Sequence, residues 1–407
     1  MKHLTVKSCM ETDDLLGKES LQLYGKHHGV LEVASKVHLE NTRDLSIVYT
    51  PGVAEPCKRI AKSSDDVYRY TLKENTVAII TDGSAILGLG NIGAAAGLPV
   101  MEGKAIIFKE LAGINAFPIC LDTQDTEEII KTVKNIAPVF GGINLEDISA
   151  PRCFEIEERL KKELSIPVMH DDQHGTAIVT IAGLLNSLKL TGKKINEIKV
   201  VISGAGAAGM AIAKKLIHTG VRPENLLVCD RNGIISRKRT EGMNPKKKEI
   251  AEFSNPEEIK GSLAEAVSGS DVFIGVSVPE IVTENMVASM NNDAIIFAMA
   301  NPIPEIMPHK AFEAGARVVA TGRSDCPNQI NNCLGFPGIF KGALETRATQ
   351  INLEMELAAA NALAAIVEDD GIKEDYIIPN PLDKRVVPGV SKAVADAAIK
   401  SGVARKK

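Results

Sequence analysis

The chain contains no tryptophan, and aromatic residues fill only 4% of its 407 positions. So few flat rings leave little on which nucleobases could stack. A basic surplus is also missing: 47 Lys and Arg face 52 Asp and Glu, a net charge of −5, which excludes the usual electrostatic footprint of a nucleic-acid binder. No apolar run approaches the ~18 residues of a membrane span. Met1 to Met10 carries Lys2 and Lys7 but no apolar core, so a secretory signal is not expected. The seven cysteines (Cys9, Cys57, Cys120, Cys153, Cys229, Cys326 and Cys333) are odd in number and include no Cys-x-x-Cys pair. That spacing argues against a zinc ribbon or a disulfide framework and predicts packing thiols in a reducing cytoplasm. Repeats and low-complexity segments are absent.

What is present is a hydrophobic content of 44% and 24% charged residues, enough to bury a real core in two or three domains. Short β-branched runs alternate with helical patterns. Thr76 to Thr81, Phe117 to Leu121, Lys199 to Ser203, Leu226 to Cys229, Val272 to Val276, Ala294 to Ala298 and Arg317 to Ala320 read as strands. Glu102 to Leu111, Thr126 to Ile136, Gly175 to Leu190 and Thr349 to Glu368 read as helices, and Asn301 to Pro308 and Pro379 to Pro388 as loops. This alternation predicts an α/β protein with parallel sheets covered on both faces. The expected division is an N-terminal α/β substrate domain over 1–160, a Rossmann-type doubly wound domain over 161–390, and a C-terminal helix or tail over 391–407.

The strongest single motif is Gly204-Ala205-Gly206-Ala207-Ala208-Gly209, set between the strand Val200 to Ser203 and an amphipathic run to His218. Glycines there permit a tight turn and close approach of backbone to a pyrophosphate, which the helix N-terminus then favours. The next strand ends in Asp230, at the spacing of an acid that accepts hydrogen bonds from an adenosine ribose. A carboxylate at that place favours NAD. Arg231, Arg237-Lys238-Arg239 and Lys246-Lys247-Lys248 follow, and a cationic loop of that kind leaves NADP open, although short charge runs also read as solvated surface.

Four features precede this fold. Tyr49-Thr50-Pro51-Gly52-Val53 places a phenol beside a turn. Thr81-Asp82-Gly83-Ser84 leads into Gly88-Leu89-Gly90-Asn91-Ile92-Gly93, a second glycine cluster that lacks an acid-ended strand behind it and reads as a loop framing a site. Lys104 is bordered by Ile106, Ile107 and Phe108. Burial there is expected to lower its pKa and yield a neutral amine that can act as a base. Glu146-Asp147 and Asp171-Asp172 each follow an apolar stretch, which would put them at strand carboxyl ends, where open α/β sheets bind ligands. Three converging carboxylates suit Mg²⁺ or Mn²⁺. His170 and His174 have the spacing of a zinc-peptidase helix, but the acid that must follow the first His is Asp171 rather than Glu, and Gly175 interrupts directly afterwards.

Taken in order, Tyr49 to Val53, Asp82-Gly83 through Leu87-Gly88-Leu89-Gly90, Gly103-Lys104, Leu145-Glu146-Asp147-Ile148 and His170-Asp171-Asp172-Gln173-His174-Gly175-Thr176-Ala177 resemble the malic enzyme family in its shorter prokaryotic form, from about residue 20 to 390. The resemblance implies metal-dependent oxidative decarboxylation of (S)-malate to pyruvate and CO₂ with reduction of NAD(P). It implies Tyr49 as general acid, Lys104 as general base with Asp171 beside it, and Glu146, Asp147 and Asp172 as metal ligands. Asn301, Asn331 and Asn332 are then substrate contacts, and the assembly a homodimer or larger homo-oligomer. One departure stands out: larger members carry Glu-Arg after Asp-Gly, and this chain has Ser84-Ala85. The arginine that holds a substrate carboxylate must be replaced, from a partner subunit or from the Gly88 to Gly93 loop. A hydroxy-acid or amino-acid dehydrogenase without decarboxylation, and a nucleotide-sensing protein without chemistry, remain as alternatives.

Overall fold

The computed structural model describes residues 6–86 and 88–406, with side chains from residue 13 onward. Leu87 of the glycine-rich motif and the Cys9 side chain lie outside the described residues. The chain opens with α1 (Val6–His27), α2 (Thr42–Val48), α3 (Ala54–Lys62) and α4 (Asp66–Tyr70). A first α/β unit follows: β1 (Thr76–Thr81), α5 (Ala94–Ala112), β2 (Asn115–Cys120), α6 (Thr126–Ile136), β3 (Gly142–Leu145), α7 (Arg152–Glu163) and β4 (Val168–His170). Its strands form a parallel sheet in the order β2-β1-β3-β4.

Helix α8 (Asp171–Thr191) starts without a loop at the end of β4 and leads to the second unit. This comprises β5 (Val200–Ser203), α9 (Ala207–Thr219), β6 (Leu226–Asp230), β7 (Gly233–Ile234), α10 (Pro245–Phe253), α11 (Leu263–Val267), β8 (Val272–Gly275), α12 (Glu284–Ala288), β9 (Ala294–Ala298), α13 (Pro308–Glu313) and β10 (Ala316–Thr321). The strand order is β10-β9-β8-β5-β6-β7, parallel except for the short β7, which is the doubly wound dinucleotide-binding topology. Helices α14 (Phe336–Glu345), α15 (Leu353–Asp370) and α16 (Val386–Lys400) close the chain. Residue 160 falls inside α7, β4 beyond it completes the first sheet, and α16 straddles residue 390.

The alternation of side chains along each strand explains how two sheets share one core. Val77 and Ile79 of β1 face the same apolar cluster as Val200 and Ile202 of β5, whereas Ala78 and Ile80 face a second cluster and Val201 a third. The shared cluster is filled by α5, α8 and α14 to α16, so the C-terminal helices bridge both sheets. On α14, a Cβ at Gly338 would come within 2.7 Å of Val390, and one at Gly342 within 2.5 Å of the Ser391 carbonyl, so glycine lets α16 lie close. Helix α5 begins eight residues before the run expected from sequence and carries Pro99 inside it. Gly97 on that added stretch accommodates Ile86, whose side chain would meet a Cβ there at 2.8 Å.

The N-terminal arm is built differently. Neither α2 nor α3 buries a single residue, and Leu39, Leu45, Ile47, Val48, Tyr49 and Val53 are exposed. Among the described residues no helix is long and apolar enough to cross a membrane.

Candidate active site

The carboxyl ends of β3 and β4 deliver four carboxylates to one place. Glu146 and Asp147 follow β3 directly, and Asp171 and Asp172 form the first turn of α8. An acid in that turn is favoured by the helix dipole. Lys104, on the buried face of α5, is only 6% exposed. Its Nζ lies 2.5 Å from Asp171 Oδ2, is ion-paired with Glu146, and sits 4.4 Å from the Phe336 ring centroid. The amide of Asp147 donates to Asp172 Oδ2 at 2.8 Å, which ties the two acidic turns together. Asp147 itself holds φ +51°, a left-handed conformation that Asp tolerates better than most residues.

The expectation that burial would leave Lys104 neutral is corrected here. Burial does press its pKa down, but the Asp171, Glu146 and Asp172 carboxylates outweigh it and hold the ammonium well above its ordinary value. The strain falls on the acids instead. Burial pushes Asp171 and Glu146 up to about 7 against the pull of Lys104, and Asp172 is raised by burial and by Asp171. One lysine is shared by more carboxylates than it can neutralise.

That imbalance bears on a metal. Among the described residues no three His, Cys, Asp or Glu side chains stand gathered as a ligand cluster. The donor chemistry nevertheless fits a hard divalent cation: Glu146, Asp147 and Asp172 offer only oxygen, on two turns joined by a hydrogen bond, with uncompensated negative charge. His170, wholly buried and lowered to about 4 chiefly by burial, stays neutral; among the described residues neither ring nitrogen has a hydrogen-bond partner, and Nε2 lies 3.8 Å from Asp172 Oδ2.

Behind α8 lies a second set of charges that sequence reasoning missed. Glu157 accepts the His170 amide at 3.0 Å and faces His174 Nε2 at 3.0 Å. His174 Nδ1 lies 2.8 Å from Glu356, which in turn pairs with Lys215 at 3.0 Å. Lys161 completes the chain at 2.8 Å from Glu157. These residues come from α7, α8, α9 and α15. The only sequence signal was the isolated presence of charge on otherwise apolar helix faces.

The glycine-rich loop takes the expected form. Gly204, with φ +115°, lies so close to β8 that a Cβ would meet the Val276 carbonyl at 2.4 Å. A Cβ at Gly209 would strike the Gly204 carbonyl at 1.8 Å, whereas Gly206 faces open space, as a pyrophosphate seat requires. Ala205 packs against the shared core, Ala207 against the core of the first unit, and Ala208 continues the first turn of α9. Asp230 is already hydrogen-bonded within the chain. Its carboxylate accepts the Asn232 amide at 2.8 Å, Arg239 Nη1 at 2.9 Å and Lys247 Nζ at 2.6 Å, and despite burial these donors hold its pKa down at about 2.

The remaining candidates divide. Asn332 lies beside Asp171: a Cβ on Gly175 would meet Asp171 Oδ1 at 2.0 Å and Asn332 Cβ at 3.1 Å. Asn331 caps the short helical turn that carries Asn332, accepting the Cys333 amide at 2.9 Å. Asn301 is reached from the first unit, since a Cβ on Gly88 would lie 2.8 Å from its carbonyl. Tyr49 is 67% exposed on the N-terminal arm and is not among the partners of Lys104.

Two family models match the chain: the malic enzyme N-terminal domain over residues 28–131 and 123–161, and the malic enzyme NAD binding domain over 173–403. A bifunctional malic/malolactic enzyme of Bacillus subtilis is 60% identical over 96% of this chain and 95% of its own. An NADP-dependent malic enzyme of Halomonas elongata is 48% identical over 93% and 92%. The crystal structure of a malic enzyme from Pyrococcus horikoshii superposes with a TM-score of 0.90 at 52% identity, covering 93% of this chain and 89% of that one. That of Entamoeba histolytica malic enzyme reaches 0.96 at 39% identity, covering 100% and 86%.

Proposed function

The chain belongs to the malic enzyme family, and from that premise we propose that it converts (S)-malate to pyruvate and CO₂ with reduction of NAD or NADP. The observation that carries the reading is Lys104, buried between Glu146 and Asp171 where the two units meet. A base is needed at the C2 hydroxyl. Lys104, held as the ammonium by its carboxylate neighbours, becomes one only once its proton has left, and Asp171 at 2.5 Å is the adjoining group through which it can leave. The neutral amine then takes the hydroxyl proton as hydride leaves C2. When bound, the dinucleotide accepts that hydride, and a divalent cation supplies the Lewis-acid charge that favours loss of CO₂.

Glu146, Asp147 and Asp172 would hold Mg²⁺ or Mn²⁺. Asn301, Asn331 and Asn332 orient the substrate, and Gly204 to Gly209 seat the pyrophosphate. Tyr49 returns a proton to C3 after CO₂ leaves. Its exposure fits a homodimer in which a second copy covers the arm and Tyr49 meets the acid–base pocket. Asp230 supports both cofactors. Arg239 and Lys247 cancel its charge, so a 2′-phosphate meets two cations rather than a bare carboxylate, while a ribose hydroxyl must displace one of them. The six cysteines whose side chains are described are free, in keeping with a cytoplasmic setting.

A malate assay with NAD and with NADP, following reduced cofactor, pyruvate and CO₂, tests this. Turnover should need Mg²⁺ or Mn²⁺ and stop on chelation. Reduced cofactor without CO₂ would indicate a plain dehydrogenase, and cofactor binding without turnover a sensor. Lactate is measured as well, because the Bacillus subtilis relative is described as malolactic too.

A further inference from the structure

A dicarboxylate substrate brings two negative charges to a pocket that already holds Glu146, Asp147, Asp171 and Asp172. Lys104 is spent between Glu146 and Asp171. Arg323 is spent on Asp13, Asp325 and the Pro302 carbonyl. A third cation borders the acidic turns. Arg152 opens α7, five residues after Asp147, and its Nη2 donates to Asp82 Oδ2 at 2.7 Å and to Ser84 Oγ at 3.1 Å.

Those contacts seat the guanidinium where two loops join. Ser84 Oγ also accepts the Ser149 amide at 2.9 Å, and the Ala85 amide donates to the Asp147 carbonyl at 3.0 Å. Asp147 is in turn bonded through its own amide to Asp172. Asp82 aims the guanidinium but engages only Nη2. The Nε–H of Arg152 is buried with no hydrogen-bond partner among the described residues, and the side chain as a whole is 28% exposed, so the guanidinium keeps an open edge. A guanidinium that is only partly paired is costly to hold, and an anion reaching its exposed edge offsets that cost. Arginine also presents a planar fork matched to a carboxylate.

We infer that Arg152 binds a carboxylate of the substrate and so takes the place of the arginine missing at Ala85. The inference rests on the malate reading above and deepens it. Arg152 lies far along the chain from Ala85, but it reaches Ser84, the residue next to it.

The test uses the dimeric holoenzyme with Mn²⁺ and cofactor, and compares wild type with Arg152→Gln and Arg152→Lys by calorimetric titration of malate and by KM. Arg152→Gln should weaken malate about 10- to 100-fold, the range for a lost charged hydrogen bond. The KM for cofactor should stay within about twofold, and Arg152→Lys, which restores the charge without the fork, should recover part of the loss. Added guanidinium ion should rescue Arg152→Gln. Malate affinity within twofold of wild type in either folded variant would overturn the inference, as would equal losses for malate and cofactor. Should Arg152→Gln fail to fold, Arg152→Lys alone decides, by an affinity below or equal to wild type. Absence of malate turnover by wild type would sink the functional reading, and the affinity comparison would still decide the role of Arg152.

Discussion

The acid–base pocket and the N-terminal arm treat their polar and apolar side chains in opposite ways. In the pocket, charge is buried: Lys104, Glu146, Asp147 and Asp171 are all nearly closed to solvent. In the arm, apolar surface is open: α2 and α3 bury nothing, and Leu45, Ile47 and Val48 face outward beside Tyr49. Each is a poor solution for a lone chain, because buried charge and exposed leucine both cost free energy. The pocket's cost is offset by pairing within one chain. The arm's cost is offset only if another surface covers it. The difference teaches that burial of the proposed base is complete within one chain, whereas the proposed acid is left open by it.

The sharpest way to break this contrast is to disable one side at a time. Lys104→Ala should lower kcat by about 10³-fold or more and leave the dimer intact, and Tyr49→Phe should lower it by about 10²-fold through slower protonation of C3. Steady-state rates with malate, and the rate of enolpyruvate protonation measured apart from hydride transfer, check both. If the arm delivers Tyr49 to the partner, mixing the two inactive proteins under exchange should restore about a quarter of wild-type activity, since half of the random dimers then hold one intact site. No recovery in dimers shown by mass to be mixed would place both residues in the same protomer's site.

Next in size is the arm itself. Ile47→Glu should shift the proposed dimer to monomer in sedimentation, because it puts charge into the apolar surface that a second copy is proposed to cover, and turnover should fall about tenfold or more at low protein concentration. Its circular dichroism should match wild type, since Ile47 is 59% exposed and no residue of α2 is buried. A stable dimer with normal activity would leave the exposed arm without its explanation.

Local chemistry made much of this legible in the sequence. Short β-branched strands buried on both faces, the Gly204 to Gly209 loop and acids placed directly after apolar runs all depend on neighbours in the chain, and the structure has them close to the expected residues. What was hidden depends on pairing between distant segments. Lys104 reads as a desolvated amine until Asp171, 67 residues away, is seen beside it. Asp230 reads as a bare carboxylate until Arg239 and Lys247 fold back onto it. Arg152 sits in an ordinary helix start, and only the tertiary contact with Ser84 shows where its guanidinium lies. The exposure of Tyr49 had no sequence signal, because the turn around it is the same whether or not a partner covers it.

The smallest effect on turnover and the largest on folding should come from Glu356, and it tests whether buried charge in the body is really held by pairing. Burial alone would raise its pKa, but His174 and Lys215 hold it well below the ordinary carboxylate range. A lowered carboxylate binds fewer protons folded than unfolded, so it adds stability above its ordinary value and loses that stability as pH falls towards the lower one. Glu356→Gln leaves Lys215 without its charge partner in a site where both side chains are 5% exposed, and breaking such a pair costs about 3 kcal/mol. Denaturation at pH 7 should show that loss, with kcat changed by no more than about threefold, and the gap to wild type should narrow as pH drops below the ordinary range near 4.5. A gap that stays constant from pH 7 to pH 3 would mean that packing rather than charge holds α15 against α8, and the body would then resemble a plain apolar core with its ions as passengers.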